Sequence, residues 1–265
     1  ITSSQGGSQL IIGGNDSDST LQTSVVDYSG DPNLGITLVK EGTGTLTLAG
    51  NTLQFSGLTY VNNGTVKVAT AQEFLGGATV MGNGTLTGSG TFDGDITVNN
   101  GGSLDVRLDG AAGTFSAANI AIYGSGATTT MQIDSESTYS QLNSQGDMAY
   151  GGNLVIRFDN TQYADFSTFS LFSFANAPTN NFATITTAAG SGDYSGLTFA
   201  YNADRDVWYT PLIQANGQYL TFTPSTGSLV IVPEPSTWAM TLASVGFAGW
   251  MARRKQLAKK KLRVA

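Results

Sequence analysis

Cysteine and histidine are both absent from this chain of 265 residues. Because neither a thiol nor an imidazole is present, the sequence excludes Ser/His/Asp and Cys/His nucleophilic sites, zinc sites with thiolate or imidazole ligands, and any disulfide. Charged residues are also scarce, at 12% of the chain. The hydrophobic content of 40% nevertheless argues against disorder.

Glycine and threonine are abundant instead, with 34 residues of each. Average glycine usage is about 7%, so the chain has nearly twice the usual share, and it lacks the triplet period of collagen. Such a composition is typical of a turn-rich β protein or of a low-complexity chain. The hydrophobic content favours the β protein.

The charge is divided between two parts of the chain. All 19 acidic residues lie at or before Glu234, whereas seven of the 12 basic residues lie within residues 253–263. The body therefore carries −14 and the tail +7, although the net charge of the whole chain is only −7. A basic tail favours an anionic partner, either nucleic acid or a membrane face. The body has only five scattered basic residues, which give it no phosphate-binding footprint, so we expect no nucleic acid partner.

An uncharged run of fourteen residues, 238–251, precedes the basic tail. As a helix it would span about 21 Å, less than the roughly 30 Å of a bilayer core. Its flanks still favour insertion, because it has a tryptophan near each end and is followed at once by Arg253, Arg254 and Lys255. We therefore predict one short C-terminal transmembrane helix, with the tail in the cytoplasm and the body outside. The alternative is a helix that docks on the body and ends in a solvated basic segment.

Two prolines flank a glutamate just before this run, as Pro233, Glu234 and Pro235. Proline lacks a backbone donor and restricts the residue before it, so the stretch is predicted to be an exposed, stiff connector. Such a segment is either a plain linker or one that a processing enzyme can bind. The motif, the apolar run and the terminal basic cluster together closely resemble the PEP-CTERM sorting signal of Gram-negative bacteria, over about residues 232–263.

This resemblance implies a route for the protein. It implies export, transient anchoring in the inner membrane, recognition by an exosortase-like enzyme near Pro233, Glu234 and Pro235, and passage to the cell surface or exopolysaccharide. Arg253 and Arg254, with Lys255, would form the membrane stop. All of these residues are features of a substrate and not catalytic groups.

An internal repeat marks the body. The tripeptide Gly-Thr/Ser-Leu/Val recurs at offsets of 20, 20 and 18, at residues 44–46, 64–66, 84–86 and 102–104. Apolar and polar residues alternate after each copy, which predicts strands buried on one face. Asn and Gly precede three of the copies and accept the left-handed backbone of a corner. A stack of such units is typical of a parallel β-solenoid, while the alternative is a β-sandwich or a meander of hairpins.

Residues 38–66 resemble an autotransporter-associated β-strand repeat, with a looser match in the following units. That resemblance implies a right-handed parallel β-helix. The predicted fold is therefore all-β, a right-handed parallel β-helix with a C-terminal β cap. Strands are predicted in the cap region at 154–158, 169–174, 196–199, 219–222 and 229–232. The predicted divisions are an N-terminal cap or frayed segment (1–35), solenoid repeats (36–134), a C-terminal β region (135–231) and the sorting signal (232–265).

Three pairs of carboxylates lie two residues apart, at Asp16 and Asp18, Asp93 and Asp95, and Asp204 and Asp206. Polysaccharide-cleaving enzymes use paired carboxylates, but acids in Gly/Asp-rich loops are more often solvated turn residues. Calcium is a second alternative, although none of the pairs continues into a calcium-binding loop. We predict no catalytic residue, no metal site and no cofactor.

Threonines at matching repeat positions suggest another alternative, an outward ladder that binds ice. Thr45 and Thr47 match Thr85 and Thr87, while Lys67 interrupts the second position. Exposed threonine more often reflects β propensity alone. The predicted function is that of an exported, non-enzymatic structural or adhesion-type protein, with an exosortase-like enzyme and the inner membrane as partners and polysaccharide as a further candidate. A carbohydrate- or ice-binding solenoid is the alternative, and a polysaccharide-cleaving enzyme is less favoured.

Overall fold

The structure is a computed structural model, and it describes residues 2–3, 7–27, 35–50, 52–160 and 162–234. Over these residues the chain is all-β, with two short 3-10 helices at Gly192–Tyr194 and Pro224–Thr226. The all-β prediction is confirmed.

The strands of the first half are β1 (Thr2–Ser3), β2 (Gln9–Ile12), β3 (Ser19–Leu21), β4 (Val25–Asp27), β5 (Thr37–Lys40), β6 (Thr45–Leu48), β7 (Leu53–Gln54), β8 (Thr59–Val61), β9 (Gly64–Phe74), β10 (Ala78–Val80), β11 (Gly84–Phe92), β12 (Ile96–Val98) and β13 (Ser103–Leu108). The strands of the second half are β14 (Ala111–Ala112), β15 (Thr114–Ala117), β16 (Ile120–Ile122), β17 (Thr128–Ile133), β18 (Gln141–Ser144), β19 (Met148–Ala149), β20 (Asn153–Phe158), β21 (Thr168–Ser170), β22 (Phe172–Ser173), β23 (Thr184–Thr187), β24 (Ala200–Asn202), β25 (Val207–Tyr209), β26 (Gln218–Thr223) and β27 (Ser228–Pro233).

Three sheets carry the body, and their strands pair in parallel except for the short β14, which pairs antiparallel with β13. One has seven strands in the order β19-β16-β12-β10-β8-β5-β2, and a small one has the order β1-β4-β7. The largest has twelve strands and divides at β11, whose first half pairs with β13 and whose second half pairs with β15. The division follows a shift of register between Gly88 and Gly90, where the long strand bends. Each unit of the chain thus adds one strand to each of several sheets, and this stacking is compatible with a β-helix.

The register of the largest sheet reproduces the sequence repeat. Thr45 pairs with Thr65, Thr65 with Thr85, and Thr85 with Ser103, all in parallel. These pairs carry the predicted offsets of 20, 20 and 18. The hairpin or sandwich alternative is wrong for this region, because a hairpin would pair neighbouring strands antiparallel.

Two of the repeat glycines are required for different reasons. Gly64 has a left-handed backbone with a φ of 65°, as the corner predicts. Gly84 is not left-handed, and a side chain there would collide with the carbonyl of Val61. The sequence therefore identified the position of Gly84 but not the reason for it.

The core is a column of apolar side chains between the sheets. In β11 every second residue is buried, and β20 shows the same alternation. Four phenylalanines from successive units form a ladder, with ring centroids 5.8, 4.6 and 6.1 Å apart; they are Phe55, Phe74, Phe92 and Phe115.

A five-stranded antiparallel sheet of order β21-β27-β26-β25-β24 follows the parallel sheets. It packs on the last units through Phe222, whose ring lies 5.8 Å from that of Phe172 and 6.4 Å from that of Tyr150. Parallel pairing itself continues through β23, well beyond residue 134. Of the strands predicted in this region, only 196–199 falls outside a strand, with an isolated bridge between Thr186 and Thr198.

The predicted transmembrane helix, residues 238–251, lies outside the described residues. Among the residues that are described, none of the helices is long and apolar enough to span a bilayer.

Candidate functional site

The sorting segment begins on a strand in the interior of a sheet. Strand β27 lies between β21 and β26 and pairs antiparallel with both. Its alternate residues Leu229, Ile231 and Pro233 are buried. The body and the sorting segment are therefore continuous, with Val232 and Pro233 inside the sheet.

Proline fits this position because Gln218, the residue paired with it, needs no backbone hydrogen bond from residue 233. Pro233 lies opposite Gln218. The backbone N–H of Gln218 donates to Oδ1 of Asn216 at 3.0 Å, and its carbonyl accepts from the N–H of Ile213 at 2.7 Å. The missing N–H of proline therefore costs no ladder bond, which is the condition for proline in a strand. The next residue, Glu234, makes the last bond of this pairing, from its N–H to the carbonyl of Gly217 at 2.8 Å.

The expectation of an exposed connector is wrong for the first part of the motif. Pro233 is buried, and Val232 and Glu234 are only partly exposed. Two flanking prolines predict an extended backbone correctly, but an extended backbone is also what a strand requires. Pro235 and the predicted membrane stop at Arg253–Lys255 lie outside the described residues.

A buried polar network holds the end of β26 opposite the motif. The side-chain amide of Gln218 donates to the carbonyl of Tyr163 at 3.1 Å and to Oδ1 of Asp165 at 2.7 Å, while its Oε1 accepts from the hydroxyl of Tyr194 at 2.7 Å. Burial raises the pKa of Tyr194 to about 12, because ionisation would place a charge inside the network. Nothing in the sequence marks Gln218, because a glutamine among apolar strand residues gives little signal of such a role.

The first pair of carboxylates binds backbone amides of the next unit. Asp16 accepts from the N–H of Thr43 at 2.7 Å, and Asp18 accepts from the N–H of Thr45 at 2.6 Å. These acids are turn residues whose carboxylates accept hydrogen bonds from the backbone N–H groups at the start of β6. Their geometry does not present two free carboxylates to a substrate.

One carboxylate of each of the other two pairs is engaged with a neighbouring side chain. Asp95 accepts from the amide of Asn119 at 2.8 Å, and Asp206 accepts from the hydroxyl of Tyr201 at 2.9 Å in the turn between β24 and β25. Across the described part of the chain, no group of three or more acidic side chains is arranged to hold a metal ion.

The outward threonines form the row that the repeat predicts. It runs along the largest sheet, one residue per unit, through Thr45, Thr65, Thr85, Ser103, Thr128, Asn153 and Thr184. The neighbouring row is interrupted by charge, since Lys67 pairs with Asp109 and Arg107 pairs with Asp105. The first row continues beyond Ser103 through Thr128, Asn153 and Thr184.

An open groove of about 410 Å³ lies on the outer face of the seven-stranded sheet. Small outward side chains, Thr97, Ala121 and Ala149, line it. Tyr123, which is 50% exposed, also lines it. The sequence does not reveal the groove, because the residues that line it come from successive units of the chain.

One side of the groove is a ladder of hydrogen-bonded polar side chains. The amide of Asn119 donates to Asp95, its Oδ1 accepts from the N–H of Asp147 at 2.8 Å, and Asp147 accepts in turn from the amide of Asn176 at 2.8 Å. These bonds hold the polar side chains in place, so this edge of the groove is ordered. The exposed ring of Tyr123 lies in the same groove.

Comparison with known proteins identifies the C-terminal segment. The PEP-CTERM protein-sorting motif matches residues 232–255, which begin on β27. No curated protein matches the chain. The motif indicates an exported protein that an exosortase-like enzyme processes.

Proposed function

We propose that this chain is a non-enzymatic β-solenoid displayed at the cell surface or within exopolysaccharide, after sorting through its C-terminal signal. The observation that carries the proposal is the sorting motif at 232–255, which continues directly from the folded body. The parallel pairing at the repeat offsets supports the solenoid. The resemblance to autotransporter-associated repeats supports a right-handed β-helix.

The sorting route includes a membrane step. The apolar run 238–251 anchors the exported body in the inner membrane, and Arg253, Arg254 and Lys255 hold the tail on the cytoplasmic side. The exosortase-like enzyme then releases the body. The charge division of the chain supports this order, because all of the acidic residues precede the apolar run and most of the basic residues follow it.

The non-enzymatic assignment is supported by the bonds of the acidic pairs. Asp16, Asp18, Asp95 and Asp206 each accept a hydrogen bond from a neighbouring unit or turn. A glycosidase needs two carboxylates directed at one bond. The two ion pairs on the threonine face likewise disfavour ice binding there.

The sorting proposal is tested by replacing Pro233, Glu234 and Pro235 with alanine in the full chain. We expect the variant to stay in the inner membrane with its tail, as measured by fractionation and intact mass. Because Pro233 is packed in the sheet, a second variant changes only Glu234 and Pro235 and leaves β27 intact. Release of both variants at the wild-type rate would contradict the proposal.

A polysaccharide partner is the second candidate function, and the groove favours it. Tyr123 offers an exposed ring for the apolar face of a sugar, and Asn119 offers hydrogen bonds for hydroxyl groups. Asp95 and Asp147 give the same edge negative charge, which disfavours acidic chains. The ligand proposed is therefore a neutral polysaccharide.

Affinity electrophoresis of the full chain in neutral and in acidic polysaccharides tests this candidate. We expect retardation in a neutral polysaccharide, and its loss in Tyr123→Ala. Tyr201→Ala is the matched control, since Tyr201 is also exposed, at 41%, but lies on the antiparallel sheet. Equal retardation of both variants would contradict polysaccharide binding at the groove. Release of reducing ends would contradict the non-enzymatic assignment.

A further inference from the structure

We infer that the processing enzyme cleaves this chain on the C-terminal side of Glu234, so that the mature protein keeps the whole of β27. This inference rests on the proposed sorting function, and it adds that the cleaved peptide bond lies no earlier than the one after Glu234. Its basis is the placement of the first two motif residues in and beside a packed strand.

Both edges of β27 are already occupied. Six of its residues pair with β26, from Ser228 opposite Thr223 to Pro233 opposite Gln218. Three pair with β21 on the other side, from Ser228 to Val230. An enzyme that binds its substrate as an extended strand needs at least one free backbone edge. Residues 228–231 offer none while the sheet is folded, because Ile231 also donates to the carbonyl of Ser167 and accepts from the N–H of Phe166.

The side chains of β27 are equally unavailable. Leu229 and Ile231 are 0% exposed, and Pro233 is buried on the same face. Drawing these residues into an active site would remove the strand that joins β21 to β26. A product cut within residues 228–232 would therefore have lost part of the strand that joins β21 to β26.

Among the described residues, Glu234 makes the last bond of this pairing, from its N–H to the carbonyl of Gly217. A cut in the following segment leaves every pair of β27 in place. Glu234 is partly exposed at this boundary.

The chemical step is the exchange of one peptide bond. Water or a primary amine forms a new bond to the carbonyl carbon, the C–N bond breaks, and the proton of the attacking group passes to the leaving amine. The body keeps the carbonyl side of the cut, and the anchor with its basic tail leaves as the amine. No change of oxidation state is involved.

Intact mass of the released protein from the native host tests the inference. We expect a C-terminus at residue 234 or later. A C-terminus before residue 234 would overturn the inference and leave the sorting function in place. Full-length chain with its basic tail at the cell surface would overturn both.

A proline-specific endoprotease gives a second test that does not depend on the host enzyme. The bond after Pro233 is expected to be cut at least about tenfold more slowly in the folded full chain than in a synthetic peptide of residues 228–240, because the strand must open first. Gln218→Ala, which removes the clamp opposite Pro233, should raise the rate in the full chain. Equal rates in the folded chain and the peptide would show that β27 gives no protection and would overturn the inference.

Discussion

Gln218 lies directly opposite Pro233 and holds that end of the sheet through its side chain. Its amide contacts Tyr163, Asp165 and Tyr194, at 2.7 to 3.1 Å. The pairing of Gln218 with Pro233 joins this buried network to the start of the sorting motif. The position of the motif is therefore set by tertiary packing and not by a linker.

We expect Gln218→Leu to lower the free energy of unfolding by about 1–3 kcal/mol, because it leaves buried polar groups without partners. Denaturant unfolding followed by tryptophan fluorescence measures the change. Gln214→Leu, in the exposed part of the same turn, is the matched control and should change stability by less than about 0.5 kcal/mol. Equal effects of the two variants would show that the network does not stabilise the sheet.

Much of the parallel architecture can be predicted from the local sequence. The packing around the start of the sorting motif cannot, because it depends on residues that are distant in the sequence. The spacing of Gly64 and Gly84 predicted the register, since each unit repeats the same corner and the same alternation. The environment of Pro233 includes instead Gln218, fifteen residues earlier, and only the folded sheet shows that these two residues lie opposite each other. The groove near Tyr123 depends likewise on side chains that meet across units.

The phenylalanine ladder is expected to be a main source of stability for the solenoid. Phe92 stacks on Phe74 at 4.6 Å and is 1% exposed. We expect Phe92→Ala to cost about 3–5 kcal/mol, since it removes a large side chain and leaves a cavity. The control Tyr209→Ala removes a ring that is 41% exposed and should cost less than about 1 kcal/mol. Thermal and denaturant unfolding of the full chain measure both, and a small effect at Phe92 would contradict the role of the ladder.

Lys40 is a buried cation in a column of apolar residues. Its ammonium donates to the carbonyls of Glu41 at 2.5 Å and Gly42 at 2.7 Å, and to that of Asn63 in the next unit at 3.3 Å. Desolvation by burial lowers the pKa of Lys40.

We expect Lys40→Met to lower the free energy of unfolding by about 1–3 kcal/mol, because the carbonyls lose their donor. Lys67→Met is the matched control, since Lys67 pairs with an Asp109 that is 73% exposed, and a surface pair is worth at most about 1 kcal/mol. Urea unfolding at neutral pH compares them. A Lys40→Met variant as stable as the wild type would show that the apolar column tolerates the loss of these bonds.

Alkaline pH is expected to open the Gln218 network through Tyr194. Burial raises the pKa of this tyrosine from 10 to about 12, so the folded state favours the neutral phenol. Its contribution to stability is fully present below pH 10 and is lost as the pH rises from 10 through about 12, where the unfolded state releases the proton first. The free energy of unfolding should therefore fall over this range, and absorbance of the phenolate should rise with unfolding. In Tyr194→Phe the decline should be shallower, although the variant is less stable at neutral pH because Gln218 loses a hydrogen-bond donor. A pH dependence identical to that of the wild type would show that Tyr194 does not titrate with unfolding.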